Sequence, residues 1–309
     1  MVKATGVIWA LTTADPIVAF SIETERRPFL SSATAGLIAA VANEESPLET
    51  NCLLDLPPIT DGCARVYLCR HGQTENNRLG LVQGARVDPS LNANGREQAR
   101  RLGLAIASLQ LRPRRIVVSS RLRRAKETAQ VLAQTATLEI SSSPLSCLNE
   151  VDFGEFEGKD VNAFRSEMAA TFGAWAAGAI DKRTGDGAES GREVLERIAV
   201  ALETAAAEPR RSNSNSLVAV THSTFLRVLL AVVDEQPLVA SGLAKVENGS
   251  INILDINIEG KRQTITNKSR IFTGGSSNDL QLDFPETQLI RRNEVRHLGG
   301  MSMNNVLTF

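Results

Sequence analysis

Two short apolar runs constrain what this chain can become, because each ends abruptly in a histidine. Val66-Tyr67-Leu68-Cys69 leads into Arg70-His71-Gly72-Gln73-Thr74-Glu75-Asn76-Asn77. Leu217-Val218-Ala219-Val220-Thr221 leads into His222-Ser223 and then a helical pattern, Phe225-Leu226 with Val228-Leu229-Leu230. Such runs read as strands buried on both faces. The chain holds three histidines, and His71 and His222 both stand at a strand exit, the edge where open α/β sheets place ligands. Further strands are expected at residues 115–119, 137–141 and 251–256, with helices over 94–109, 122–134, 191–207 and 224–232. The alternation predicts an α/β fold, a three-layer α/β/α sandwich around a mostly parallel central sheet.

The residues at the first exit suit an anion. Arg70 offers a planar fork for phosphate oxygens, Thr74 and Asn77 add neutral donors, and His71 can act as a nucleophile because an ordinary imidazole titrates near pH ~6.5. Gly72 is expected to let the backbone turn tightly and come close to the anion.

Further segments follow in series: Gln83-Gly84 to Asp88-Pro89-Ser90-Leu91-Asn92, Ser119-Ser120-Arg121-Leu122-Arg123-Arg124-Ala125 continuing to Thr128-Ala129, Glu150-Val151-Asp152-Phe153-Gly154-Glu155-Phe156-Glu157-Gly158, and Thr221-His222. With Arg70-His71-Gly72 they resemble the histidine phosphatase superfamily, also called phosphoglycerate mutase-like, over about residues 63 to 262. The resemblance implies a phosphoglycerate mutase-like fold and a role for each matching residue. His71 would take up the phosphoryl group, Arg70, Asn77, Arg124 and His222 would bind phosphate, and Glu150 would protonate the leaving oxygen. Thr74, Gln83, Gly84 and Ser223 would line the pocket, and Glu189-Ser190 resembles a family element near the site. Arg121, where Pro or Asp is common, and Asn76, where an aromatic is frequent, depart from the pattern. Read without the family, Glu150 with Asp152, Glu155 and Glu157 is a solvated acidic turn, and Arg121, Arg123, Arg124 and Lys126 are an exposed helix face.

Physical logic supports the same roles. A phosphomonoester carries nearly two negative charges, so cations must gather its nonbridging oxygens before a nucleophile gains anything. Two arginines and two histidines can do this without a metal, so neither metal nor cofactor is expected. A phosphohistidine then divides one hard displacement into two easier ones.

Composition excludes little else. A net charge of -1 gives no global attraction to nucleic acid or membrane, and the expected partner is a small phosphorylated metabolite; the oligomeric state stays open. Cys52, Cys63, Cys69 and Cys147 form no short-spaced metal motif and read as reduced thiols. Residues 1–62 read as an N-terminal extension ending at Pro57-Pro58, possible in a targeting role, 63–262 as the catalytic domain, and 263–309 as a tail, loose from Thr273 with His297 on its surface. Cytoplasmic location is expected, with a plastid or other organelle as the alternative through the extension. Residues 160–180, with Phe164, Phe172 and Trp175, read as a helical cap, and 182–190 as its mobile edge.

The expectation is a metal-independent phosphomonoester hydrolase acting through phosphorylated His71. A phosphoglycerate mutase-type transferase shares every catalytic group and is the alternative; a phosphate-binding or scaffold relative without activity is another. The segment after Glu150 looks too short to seal the pocket, which favours water as acceptor.

Overall fold

The computed structural model describes residues 51–109, 116–239, 245–274 and 279–301. Residues 1–50, most of the expected extension, lie outside these.

Six strands form the central sheet: β1 (Cys63–Arg70), β2 (Ile116–Ser119), β3 (Glu139–Ile140), β4 (Ser216–Thr221), β5 (Ile251–Asn257) and β8 (Thr287–Glu294), in the order β3-β2-β4-β1-β5-β8. The first four in that order run parallel, while β5 is antiparallel to β1 and β8 to β5. Alternate residues point to opposite faces of a strand, and the core divides accordingly. Val66 and Leu68 of β1, Ala219 of β4 and Leu254 of β5 pack beneath α4 (Arg165–Ala176), α5 (Gly191–Ser212) and α6 (Ser223–Val233). Tyr67, Cys69, Val218 and Ile253 pack beneath α2 (Ala93–Ser108) and α3 (Arg123–Ala136). The result is the three-layer sandwich expected from the alternation.

A further helix, α1 (Glu75–Leu79), follows directly on the His71 loop. It is too short for periodicity to show. Thr74 caps it, accepting the Asn77 N–H, and Gly80 ends it at φ 71° in the left-handed region. Expected strand 137–141 shrinks to Glu139–Ile140, and residue 115 lies outside the described residues.

The C-terminal segment corrects the expectation of a loose tail. Residues 281–285 form β7, which pairs with β6 (Arg262–Thr266) and buries Leu282 and Phe284 in the core. β8 then joins the central sheet beside β5. His297 is 1% exposed, not a surface residue, because its Nε2 lies 2.9 Å from the buried Gly249 carbonyl. Residues 51–62 belong to the folded unit as well: Cys52 and Leu53 are buried, and Arg291 and Arg296 donate to the Cys52 carbonyl. Apolar periodicity misses these pieces because β6 (RQTIT) and β8 (TQLIRRNE) are mostly polar with no period of two, and β7 (QLDFP) alternates over only five residues. No helix of the described residues is long and apolar enough to cross a membrane.

Candidate active site

His71 follows the last residue of β1, and His222 caps α6 at the end of β4. Since β1 and β4 are parallel neighbours paired at Arg70 and Thr221, the two imidazoles come side by side, their ring centres 5.1 Å apart. His71 Nδ1 lies 2.7 Å from the Gly72 carbonyl oxygen. A carbonyl can only accept, so Nδ1 carries the proton and Nε2 keeps its lone pair. Burial first, then the charges of Arg124 and Arg70, hold His71 well below the usual histidine value. The ring is therefore held neutral at physiological pH.

His222 is tied differently. Its Nε2 lies 2.7 Å from Ser120 Oγ, which accepts the Leu122 N–H at 3.0 Å. When the Ser120 hydroxyl gives its own proton to Nε2, the ring proton sits on Nδ1, a buried atom with no hydrogen-bond partner among the described residues. Burial, Arg124, His71 and Arg70 together keep His222 well below its ordinary value too.

Both expected arginines are buried. Arg70 gives Nη1 to the Val246 carbonyl (2.7 Å), and Arg124 gives Nη1 and Nη2 to the Val87 and Gly84 carbonyls (3.0 and 2.9 Å). In each, the buried Nε has no partner among the described residues. Burial pushes Arg70 down to about 10, against the opposing pull of Glu150 and Glu247. Buried guanidinium without full compensation is costly. An anion placed among these donors would relieve that cost.

Glu150 is 4% exposed, not a solvated turn residue. His222 supplies no side-chain cap to α6, and Glu150 takes the helix's first donors instead: Thr224 N–H at 3.1 Å and Phe225 N–H at 2.9 Å. Arg197 holds the turn behind it, giving Nη1 to the Asn149 carbonyl at 2.7 Å while pairing with Glu189. Glu150 in turn acts on the charges of Arg70, Arg124 and Arg227, so acid and cations share one neighbourhood.

The lesser residues divide. Asn77 Oδ1 accepts from Thr74 N–H and from Asn248 Nδ2, each at 3.2 Å, so only its amide nitrogen can serve an anion. Thr74 is occupied as helix cap and with Gln83 Oε1 at 2.7 Å, while Gln83 Nε2 is buried without a partner among the described residues. Gly84 is required by close approach: a Cβ there would sit 2.1 Å from Glu157 Oε1. Ser223 is buried beside His222 at the start of α6. Arg121 and Arg123 are exposed, Arg123 pairing with Glu127.

Gly72 is not left-handed, and a Cβ there would collide with the Gly95 carbonyl oxygen at 2.2 Å, so the glycine lets the N-terminus of α2 abut the His71 loop. Sequence reasoning also gave no role to Ser120, Thr128, Asn248 or Arg227, all buried. Thr128 lies within a quoted segment; its Oγ accepts the Gly72 N–H at 3.0 Å. Arg227, pushed down to about 10 by burial, sits one turn into α6 near Glu150. A buried-face arginine in an otherwise apolar helix was the available signal.

Two cavities lie elsewhere. One is a small apolar gap among Leu68, Val118, Leu148 and Leu229; the other is a polar cleft of about 620 Å³ beside Thr60, Cys63, Asp255 and Lys261, at the start of β1. The chemistry is located by buried polar groups, not by cavity size. Among the described residues, no group of three or more His, Cys, Asp or Glu is placed to hold a metal.

The sequence pattern described as "Histidine phosphatase superfamily (branch 1)" matches residues 66–268, which hold Arg70, His71, Arg124, Glu150 and His222. The chain belongs to the histidine phosphatase superfamily. A Salmonella arizonae protein named probable phosphoglycerate mutase GpmB is 31% identical over 191 residues, 62% of this chain and 84% of that one. Among solved structures, YhfR of Bacillus stearothermophilus is 26% identical over 62% of this chain and 91% of its own, with a TM-score of 0.51. The mycobacterial glucosyl-3-phosphoglycerate phosphatase, 23% identical over 75% and 99% with a TM-score of 0.54, shares the fold. The proteins to which the chain is similar thus include one named a probable mutase and, by fold alone, one named a phosphatase.

Proposed function

We propose that this histidine phosphatase superfamily member hydrolyses a small phosphomonoester through a phosphohistidine at His71. The observation that carries the reading is the 2.7 Å contact of His71 Nδ1 with the Gly72 carbonyl, which requires Nδ1–H and leaves the lone pair on Nε2, beside His222 and two buried arginines. Nε2 attacks phosphorus and the bond to the leaving oxygen breaks. Arg70, Arg124 and His222 Nδ1–H stabilise the charge that spreads over the nonbridging oxygens. Glu150 as carboxylic acid protonates the leaving alkoxide, a step that typically contributes about 10²–10⁴-fold. As carboxylate it then takes a proton from the water that frees phosphate.

The mutase reading draws support from the relatives named probable phosphoglycerate mutase. Against it stands the short course from Glu150 to α4, one 3-10 turn at Gly154–Phe156 and another at Val161–Ala163, which offers little chain to seal the site from water. Turnover of p-nitrophenyl phosphate in chelator tests the hydrolase directly. Supplying 3-phosphoglycerate with a bisphosphoglycerate primer separates the two: free phosphate is expected, and fast isomerisation with negligible phosphate release would reverse the choice.

A further inference from the structure

The His71–Gly72 peptide, which leads directly into the Gly72 carbonyl that meets His71 Nδ1, is held from both sides. On one side Thr128 Oγ accepts the Gly72 N–H. On the other, the His71 carbonyl accepts Asn248 Nδ2–H at 3.0 Å and, at 3.3 Å, the Gly249 N–H that also reaches the Arg70 carbonyl at 3.2 Å. The turn that supplies these donors is itself constrained. Gly249 is left-handed at φ 72°, and a Cβ there would lie 3.2 Å from Gln98 Cβ of α2 and 3.5 Å from Leu298 Cδ2. Its carbonyl accepts His297 Nε2–H at 2.9 Å. The Arg296–Leu298 turn is pinned in its own right: Arg101 of α2 donates to the Leu298 carbonyl at 2.6 Å, and Glu294 bonds Arg296. This turn lies past residue 268, where the family pattern ends.

We propose that the Arg296–Leu298 turn is a positioning element for the nucleophile, His297 acting through the Gly249 carbonyl on the His71–Gly72 peptide. The inference rests on His71 being the nucleophile. The chain of contacts runs from His297 to Gly249, from Gly249 and Asn248 to the His71 carbonyl, and through that peptide to Gly72, whose own carbonyl, in the next peptide, fixes the His71 tautomer. A segment past the matched residues 66–268 thereby supports the loop from behind, without touching substrate. Because the contribution is one of aim, it should appear in the rate of phosphorylation more than in substrate affinity.

His297→Gln keeps a nitrogen donor at the position of Nε2, and His297→Met has the same length without it. In the full chain labelled with ¹⁵N-histidine, only three residues give ring signals, so the His71 tautomer can be read directly in the absence of substrate. The Gln chain is expected to keep the Nδ1–H tautomer of His71 and wild-type phosphorylation of the enzyme by p-nitrophenyl phosphate. The Met chain should show mixed His71 tautomers and phosphorylation slower by roughly 10-fold at little-changed KM, short of the ~10²-fold that a full 1 Å misplacement costs. A Met chain with wild-type ring signals and rate, or a Gln chain with disturbed His71 signals, overturns the proposal. Should the Met chain not fold, the Gln chain decides alone by the same criterion. If the wild type forms no phosphoenzyme at all, the proposed function fails, while the ring signals still report whether His297 positions His71.

Discussion

Each end of β1 carries a buried arginine, and the two are treated in opposite ways. Arg65, 3% exposed, gives Nε and Nη2 to the two Asp255 oxygens at 2.8 and 2.9 Å and Nη1 to the Pro57 carbonyl at 2.7 Å. Arg70, 1% exposed, gives Nη1 to a neutral carbonyl, and its Nε has no partner among the described residues. Burial lowers the proton affinity of both. For Arg65 the bond and charge of Asp255 more than offset burial and raise it above the ordinary value, whereas Arg70 falls to about 10. A buried cation matched by the chain is architecture; one left partly unmatched marks the place where an anion from outside completes the set.

The comparison can be broken by exchanging either arginine. Arg65→Met leaves Asp255 buried without its cation, so unfolding free energy should fall by about 3–5 kcal/mol, with kcat of the folded protein close to wild type. Urea unfolding and steady-state kinetics on the same sample check both halves. Arg70→Met should lose about 10²–10³-fold in kcat, the cost of removing one preorganised donor to developing charge, while its melting temperature holds or rises. An Arg70→Met chain that unfolds as readily as Arg65→Met would mean that both arginines are structural. Orthovanadate sharpens the point, since a ligand that binds only the folded state raises its stability. It should raise the melting temperature of the wild type and of Arg65→Met, and not that of Arg70→Met.

A smaller effect lies in pH. His71, His222 and His297 are all held below their ordinary value near 6.5, His297 at about 4, with burial the leading cause. In the unfolded chain each takes up a proton near 6.5, so their contribution to stability is fully present above that pH and is lost as pH falls below it. Each group weakens folding by about 1.4 kcal/mol per pH unit until its folded value is reached. Between pH 6.5 and 5, His297→Gln should flatten the fall in urea-unfolding free energy by one such slope. An unchanged slope would mean that His297 is not buried neutral.

Much of this site was legible because strand exits are written in the sequence: an apolar run that stops at Arg70-His71 or at His222 says where the sheet delivers its side chains. The family series then located Arg124 and Glu150, which composition alone would place on the surface. What stayed hidden depends on approach in space. Gly72 reads as a turn glycine until Gly95 is seen against it, Asn248 stands 171 positions from Asn77 yet bonds its side chain, and His297 looks like tail until β8 carries it back beneath the loop. Residues 160–180 were expected to form a helical cap from their aromatics; α4 forms there, and its Phe172 and Trp175 are buried in the core, meeting edge to face 4.9 Å between centroids. The mostly polar β6 and β8 carried no comparable signal.

The most direct test of the account is the covalent one. The protein is mixed with p-nitrophenyl phosphate, quenched in alkali, which preserves phosphohistidine, and the modified peptide is located by mass spectrometry. The account predicts a phosphoryl group on His71, formed in a burst, undiminished by chelator and absent from His71→Ala. Turnover with no covalent intermediate, or a phosphoryl group on His222 in the wild type, would contradict it.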